Sequence, residues 1–170
     1  MKEITLTPTS HVVLGLLSLT GGGTPYDLKQ LMALSVGDFW SIPHSQLYAE
    51  PIRLAEAGYL TERREQTGRR RKHYALTSKG RRALERWRNA APERDWELRD
   101  PGLLKLFFGA DPARLAREQL EIHRQRLERY ERTRSEASGD APTGPLLALE
   151  AGIGHEREYV RFWARLASPE

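Results

Sequence analysis

The chain contains no cysteine in its 170 residues. That excludes a disulfide framework, a thiolate metal site and a cysteine nucleophile, and it fits a reducing, cytoplasmic home. Long apolar runs are missing too. The segment VVLGLLSL near the start is too short for a bilayer, is bounded by His11 and broken by Ser18, and has no small-residue cleavage pattern after a basic start. It is therefore expected to belong to the fold, and no membrane is expected as a partner. The histidines His11, His44, His73, His123 and His155 form no HxxxH pair or similar ligand spacing, so no metal and no cofactor are expected. TGGGTP lacks the Gly-Lys-Ser/Thr ending of a phosphate loop and reads as a turn. Carboxylates are plentiful but scattered. No catalytic residue emerges, and the chain is not expected to be an enzyme.

What the sequence does have is an uneven supply of cations. The formal net charge is +4, but residues 61–89 hold 11 Lys or Arg against 3 Glu, net +8. The remaining residues hold 16 basic and 20 acidic groups, net −4. A basic island in a mildly acidic chain points to a polyanion met on one face. Its densest part, Arg69, Arg70, Arg71 and Lys72, follows Gly68 between two short alternating segments, YLTERRE and RKHYAL, which predict a hairpin. Taken alone, such a run is more often a solvated turn.

The surrounding order of elements gives the run a context. Thr7 with Pro8 caps a first helix, whose stripe is Val12, Val13, Leu16, Leu17 and Leu19, and TGGG ends it. Thr24-Pro25 starts a second, with Asp27 at its positive end and Leu28, Leu31, Met32 and Leu34 as its buried face. A third helix is expected from about Pro43 to Ala57, stopped by Gly58, with Leu47, Pro51, Leu54 and Ala55 on one face. Pro51 removes the bond to the Leu47 carbonyl and predicts a bend. After the hairpin, Thr77 or Ser78 caps a fourth helix with Leu84 and Trp87 inward. Three helices, a hairpin and a helix make a winged helix-turn-helix domain, expected over residues 1–90.

Residues 91–170 are expected to form a C-terminal α-helical dimerisation domain, so the whole is mainly α with a small β-hairpin. GLLKLFFG predicts a short helix. From Asp111 to about Ala137, the residues Ala113, Ala116, Leu120, His123, Leu127 and Tyr130 alternate steps of three and four, a heptad seam. The last helix, Pro145 to Ala167, carries two apolar rows. One is Leu146, Leu149, Ile153, Val160 and Trp163; the other is Leu147, Ala151, Tyr159, Phe162 and Leu166. So wide an arc needs more than one neighbour, and a second copy is the natural candidate. Leu120, His123, Leu127, Tyr130, Leu149, Ile153, Val160 and Trp163 are the expected dimer contacts. His123 is either a pH-sensitive contact or a half-exposed polar position. Trp87, Trp96, Phe107 and Phe108, with Phe162 and Trp163, are either core or the lining of a small aromatic effector's pocket.

The major groove of B-DNA admits one helix, whose first residues reach base edges while a hairpin lies along the backbone or minor groove. His44, Ser45, Gln46, Tyr48 and Arg53 are the candidates on the third helix; Gly68, Arg69, Arg70, Arg71, Lys72 and Tyr74 are those on the hairpin. Gln46 either pairs with adenine or is solvated, and Ala49 and Ile52 either touch thymine methyls or pack beneath the wing. The alternatives are a winged-helix module for an acidic protein partner and a small-molecule-binding protein without DNA binding.

The stretches LTPTSHVVLGLLSLTGGGTPYDLKQLM, SQLYAEPIRLAEAGYL and HYALTSKG resemble the PadR family of bacterial transcriptional regulators over about residues 5–85. The remainder resembles, by helix order, the subgroup akin to virulence-gene activators. The resemblance implies a homodimer, joined by the C-terminal helices, on a near-palindromic double-stranded DNA operator, usually repressing. For some members it also implies a small aromatic or phenolic effector. It maps the third helix's tyrosine onto Tyr48, which would contact backbone or bases, and the wing's aromatic onto Tyr74, which would rather steady the wing. The family's proline directly after the helix tyrosine is absent: Ala49 stands there, and Pro51 follows later.

Overall fold

A computed structural model describes residues 4–65, 71–91, 98–139 and 141–168. Their contacts divide the chain into two units, Met1–Arg94 and Asp95–Glu170. The fold is mainly helical with one two-stranded antiparallel hairpin.

The first unit runs α1 (Pro8–Thr20), α2 (Pro25–Ala33), a 3-10 turn (Val36–Asp38), α3 (His44–Glu56), β1 (Leu60–Arg64), β2 (Lys72–Leu76) and α4 (Ser78–Asn89). Its helices begin where short polar residues satisfy otherwise unpaired backbone N–H groups. Thr7 and Ser10 form a reciprocal capping box on α1, and Thr24 and Asp27 do the same on α2. The Thr24 backbone N–H holds the Asp27 carboxyl below its usual range, against a smaller opposing effect of burial. Gly58, at φ 77°, takes the left-handed turn that stops α3.

Val13, Leu14, Leu16 and Leu17 of α1 form the centre of the core. Leu28, Met32, Ile42, Leu47, Leu54, Tyr59, Leu60, Tyr74, Ala83 and Leu84 close around them. Leu60 pairs with Leu76 and Arg64 with Lys72 across the hairpin. Gly23 adds a short third pairing, exchanging both backbone hydrogen bonds with Tyr74 at 2.8 and 2.9 Å. The hairpin is thus fastened to the α1–α2 turn. α3 continues through Pro51, whose ring is buried in the core.

Three expectations fail here for local reasons. Leu19 stands off the 13-16-17 spacing of α1 and is exposed; Leu34 lies one residue past the end of α2 and is exposed as well. Trp87 is half exposed instead of inward, its ring stacked on His11 at 4.8 Å and 8°.

The second unit contains α5 (Pro101–Phe107), α6 (Pro112–Glu136) and α7 (Thr143–Ala167). Asp100 and Asp111 cap α5 and α6. The 25-residue helices α6 and α7 pack antiparallel, as the cross-helix pairs Arg126–Glu156 and Arg134–Glu150 require. Leu115, Ala116, Leu120 and Trp163 form the core between them.

This packing corrects the expected use of the seam. Leu120, His123, Ile153 and Trp163 are buried within one chain, and Leu127, Tyr130, Leu149 and Val160 are half buried. A heptad row specifies a helical partner but not whose helix it is, and the short connection after α6 returns α7 onto the same row. His123 is neither half exposed nor free: its Nδ1 lies 2.6 Å from Glu156 Oε2, while Arg126 Nη1 donates to Glu156 Oε1 at 3.1 Å. Phe107 and Phe108, for which the core is the commoner fate, stand exposed at the end of α5, edge to face at 5.3 Å.

Candidate nucleic-acid interface

The inner face of α3 is spent on the core through Leu47, Pro51 and Leu54, which turns the opposite face to solvent. His44, Ser45, Gln46 and Tyr48 are exposed in its first turn and a half, with Ala49 and Ile52 beyond them. The position and angle of α3 are set by a polar tie to α1. Ser10, itself fully buried, donates to Glu50 Oε1 at 2.6 Å. Arg53 grips both Glu50 oxygens, Nη2 to Oε1 at 2.6 Å and Nε to Oε2 at 2.9 Å. It also donates to Ser10 Oγ at 2.9 Å and to the Thr5 carbonyl at 3.2 Å. Burial would raise the Glu50 carboxyl, but the hydrogen bonds from Arg53 and Ser10 outweigh it and hold the group below its ordinary range.

Arg53 therefore departs from its expected place at a DNA surface. Three of its nitrogens are committed inside the fold, because a guanidinium beside a half-buried carboxylate gains more from paired, charge-assisted hydrogen bonds than from water. The spacing of Glu50 and Arg53, three apart on one helix, was the available signal.

On the hairpin, Glu62 collects three donors: Lys72 Nζ at 3.0 Å, the Tyr74 hydroxyl at 3.1 Å and Arg64 Nε at 3.3 Å. Tyr74 is fully buried. Burial first, and Glu62 second, push its ionisation up to about 12. It does not face outward as a DNA contact would; it steadies the wing, as the resemblance implies. Arg71 is exposed, its backbone paired with Glu65. Gly68, Arg69 and Arg70 lie outside the described residues, as does Trp96.

The structure brings Tyr48 of α3 together with Arg71 and Lys72 of the hairpin. They share an open hollow of about 540 Å³ with Thr24, Pro25 and Tyr26 at the start of α2. Tyr26, half exposed, was missed by sequence reasoning. The cue was its place in the first turn of a helix, where backbone N–H groups face outward and favour anions. The concave arrangement offers two phenols and two cations to a phosphate-bearing chain. Among the described residues no cluster could hold a metal ion, and no helix is long and apolar enough to cross a membrane. Trp87 belongs to the first unit and Phe107 and Phe108 to the second.

Residues 13–86 match the family described as Transcriptional regulator PadR-like family, and residues 98–168 match Virulence activator alpha C-term. The chain is 30% identical over 168 residues to the Negative transcriptional regulator PadR of Bacillus subtilis (strain 168), spanning 88% of this chain and 90% of that protein. Its fold is similar to Bacillus subtilis PadR in complex with operator DNA, with a TM-score of 0.83, 26% identity and coverage of 97% and 98% of the two chains. It is likewise similar to Bacillus subtilis PadR in complex with p-coumaric acid, with a TM-score of 0.74, 26% identity and coverage of 93% and 95%.

Proposed function

The chain belongs to the PadR-like family of transcriptional regulators, and on that premise we propose that it is a cytoplasmic repressor that binds near-palindromic operator DNA as a homodimer. The first unit is the DNA-binding domain and the second the dimerisation domain. His44, Ser45, Gln46 and Tyr48 enter the major groove, while Arg71, Lys72 and the wing residues Gly68, Arg69 and Arg70 grip the backbone. Half-sites about one helical turn apart, ~34 Å, or a multiple of it, suit a two-fold dimer. The outer faces of α6 and α7 join the two copies. Exposed Ile122 and Leu147 supply apolar surface for that contact, together with the part of Leu127, Tyr130, Leu149 and Val160 that α6–α7 packing leaves uncovered. A small aromatic acid is the effector class, supported by the p-coumaric acid complex of the relative.

The observation that carries this reading is the shared hollow of Tyr48, Arg71 and Lys72 beside the exposed first turn of α3. It is tested by gel shift on fragments from the upstream region of the protein's own coding sequence, across a salt series. Log affinity should fall against log salt with a slope of about −0.9 per phosphate contacted. Arg71→Ala with Lys72→Ala should weaken binding to every sequence alike and flatten that slope by about one unit per lost contact. A folded protein that ignores every duplex at low salt, or a double variant with an unchanged slope, refutes the reading.

A further inference from the structure

Gln46 stands exposed in the first turn of α3, yet its side-chain oxygen accepts a hydrogen bond from Thr9 Oγ1 of α1 at 3.1 Å. The two ends of a glutamine amide are opposite in kind, an oxygen that accepts and an NH2 that only donates. Hydrogen-bond partners decide which end lies where. Thr9 sits in the first turn of α1, and its hydroxyl donates to the Gln46 oxygen. The neighbouring Ser10–Glu50–Arg53 tie fixes α1 against α3, so the approach of Thr9 to Gln46 is set by the fold.

We propose that Thr9 is a positioning residue for sequence specificity: it holds the Gln46 oxygen against α1 and presents the NH2 end to the DNA major groove. This rests on the DNA-binding reading above and narrows it. Adenine displays an acceptor, N7, beside a donor, N6, and reading both takes both ends of a glutamine. Guanine displays two acceptors, N7 and O6, and thymine displays the acceptor O4. An amide restricted to donating favours guanine or thymine over adenine at the base it meets. Thr9 touches no base itself.

The test is selection from a random duplex pool with full-length wild type, T9V, T9S and Q46A, each first checked for an unchanged thermal transition. Comparing wild type with Q46A locates the base pair that Gln46 reads. Wild type should select guanine or thymine there, over adenine by roughly tenfold, within the range of a single base contact. T9V keeps the shape of threonine but not its hydroxyl; it should admit adenine at that pair and leave the other positions and the salt slope unchanged. T9S should restore the wild-type choice, and T9V should add nothing in the Q46A background. Adenine chosen by wild type, a T9V profile equal to wild type, or Q46A without effect each overturns the proposal. A wild type that enriches no duplex at all removes the DNA-binding reading itself, a result distinct from all three.

Discussion

Glu156 and Glu50 each tie one helix to another, and they do so in different surroundings. Glu156 of α7 is almost wholly buried, closed on one oxygen by the His123 imidazole and on the other by the Arg126 guanidinium, both from α6. Glu50 of α3 reaches one partner on its own helix, Arg53, and one on α1, Ser10, at the edge of solvent. The first lies inside the α6–α7 packing, the second behind the exposed face of α3. A buried charge stripped of its partner cannot recover hydration, whereas one at the edge can turn to water. Glu156→Ala should therefore be the most damaging change, a loss of about 3–5 kcal/mol in chemical denaturation. Glu50→Ala should cost about 1–2 kcal/mol, but it should weaken operator binding more than Glu156→Ala does at equal folded fraction, because it frees α3 from α1. Equal stability losses would erase the distinction drawn between the two sites.

The same contrast can be sharpened with pH. The folded state holds the Glu50 carboxyl below its ordinary 4.5. A depressed carboxylate contributes stability that is complete above the unfolded value and disappears as pH falls through the folded one. Unfolding midpoints should thus drop on acidification below about 4.5, and Glu50→Gln should make that acid limb shallower. An acid limb identical in the variant would mean that the tie to Arg53 and Ser10 contributes nothing to folding.

Features decided by neighbours in sequence were legible in the sequence. Thr7-Pro8, Thr24-Pro25 with Asp27, and Gly58 each act within one turn of backbone, and each cap or stop stands where its residues indicate. Features decided by what folds back were not. The α6 row marks the packed face but not what packs on it, and at Leu120 and His123 that is α7 of the same chain. Arg53 looks like an outward cation until Ser10, forty-three residues earlier, is brought beside it. Tyr26 gained its place only when α2, α3 and the hairpin were set around one hollow. The wing's Arg69 and Arg70 remain a reading of the sequence.

Tyr74 provides the smallest and cleanest contrast, between a wing residue that touches DNA and one that holds the wing in place. Its ring is fully buried and its hydroxyl donates to Glu62, which Lys72 and Arg64 also hold. Tyr74→Phe keeps the ring and removes one donor of three, so it should cost about 0.5–1.5 kcal/mol and leave the salt slope of DNA binding unchanged. Because burial and Glu62 raise its ionisation from 10.0 to about 12, the native state resists losing that proton while the unfolded chain gives it up. The stability Tyr74 contributes is therefore whole below about pH 10 and lost as pH rises toward 12. Tyr159 carries the same shift in the second unit, by burial and by Asp100, so Tyr74→Phe should flatten the alkaline limb only in part, and Tyr159→Phe the remainder. A Tyr74→Phe protein as stable as wild type at neutral pH, yet weakened in DNA binding, would return this side chain from the wing's interior to its contact surface.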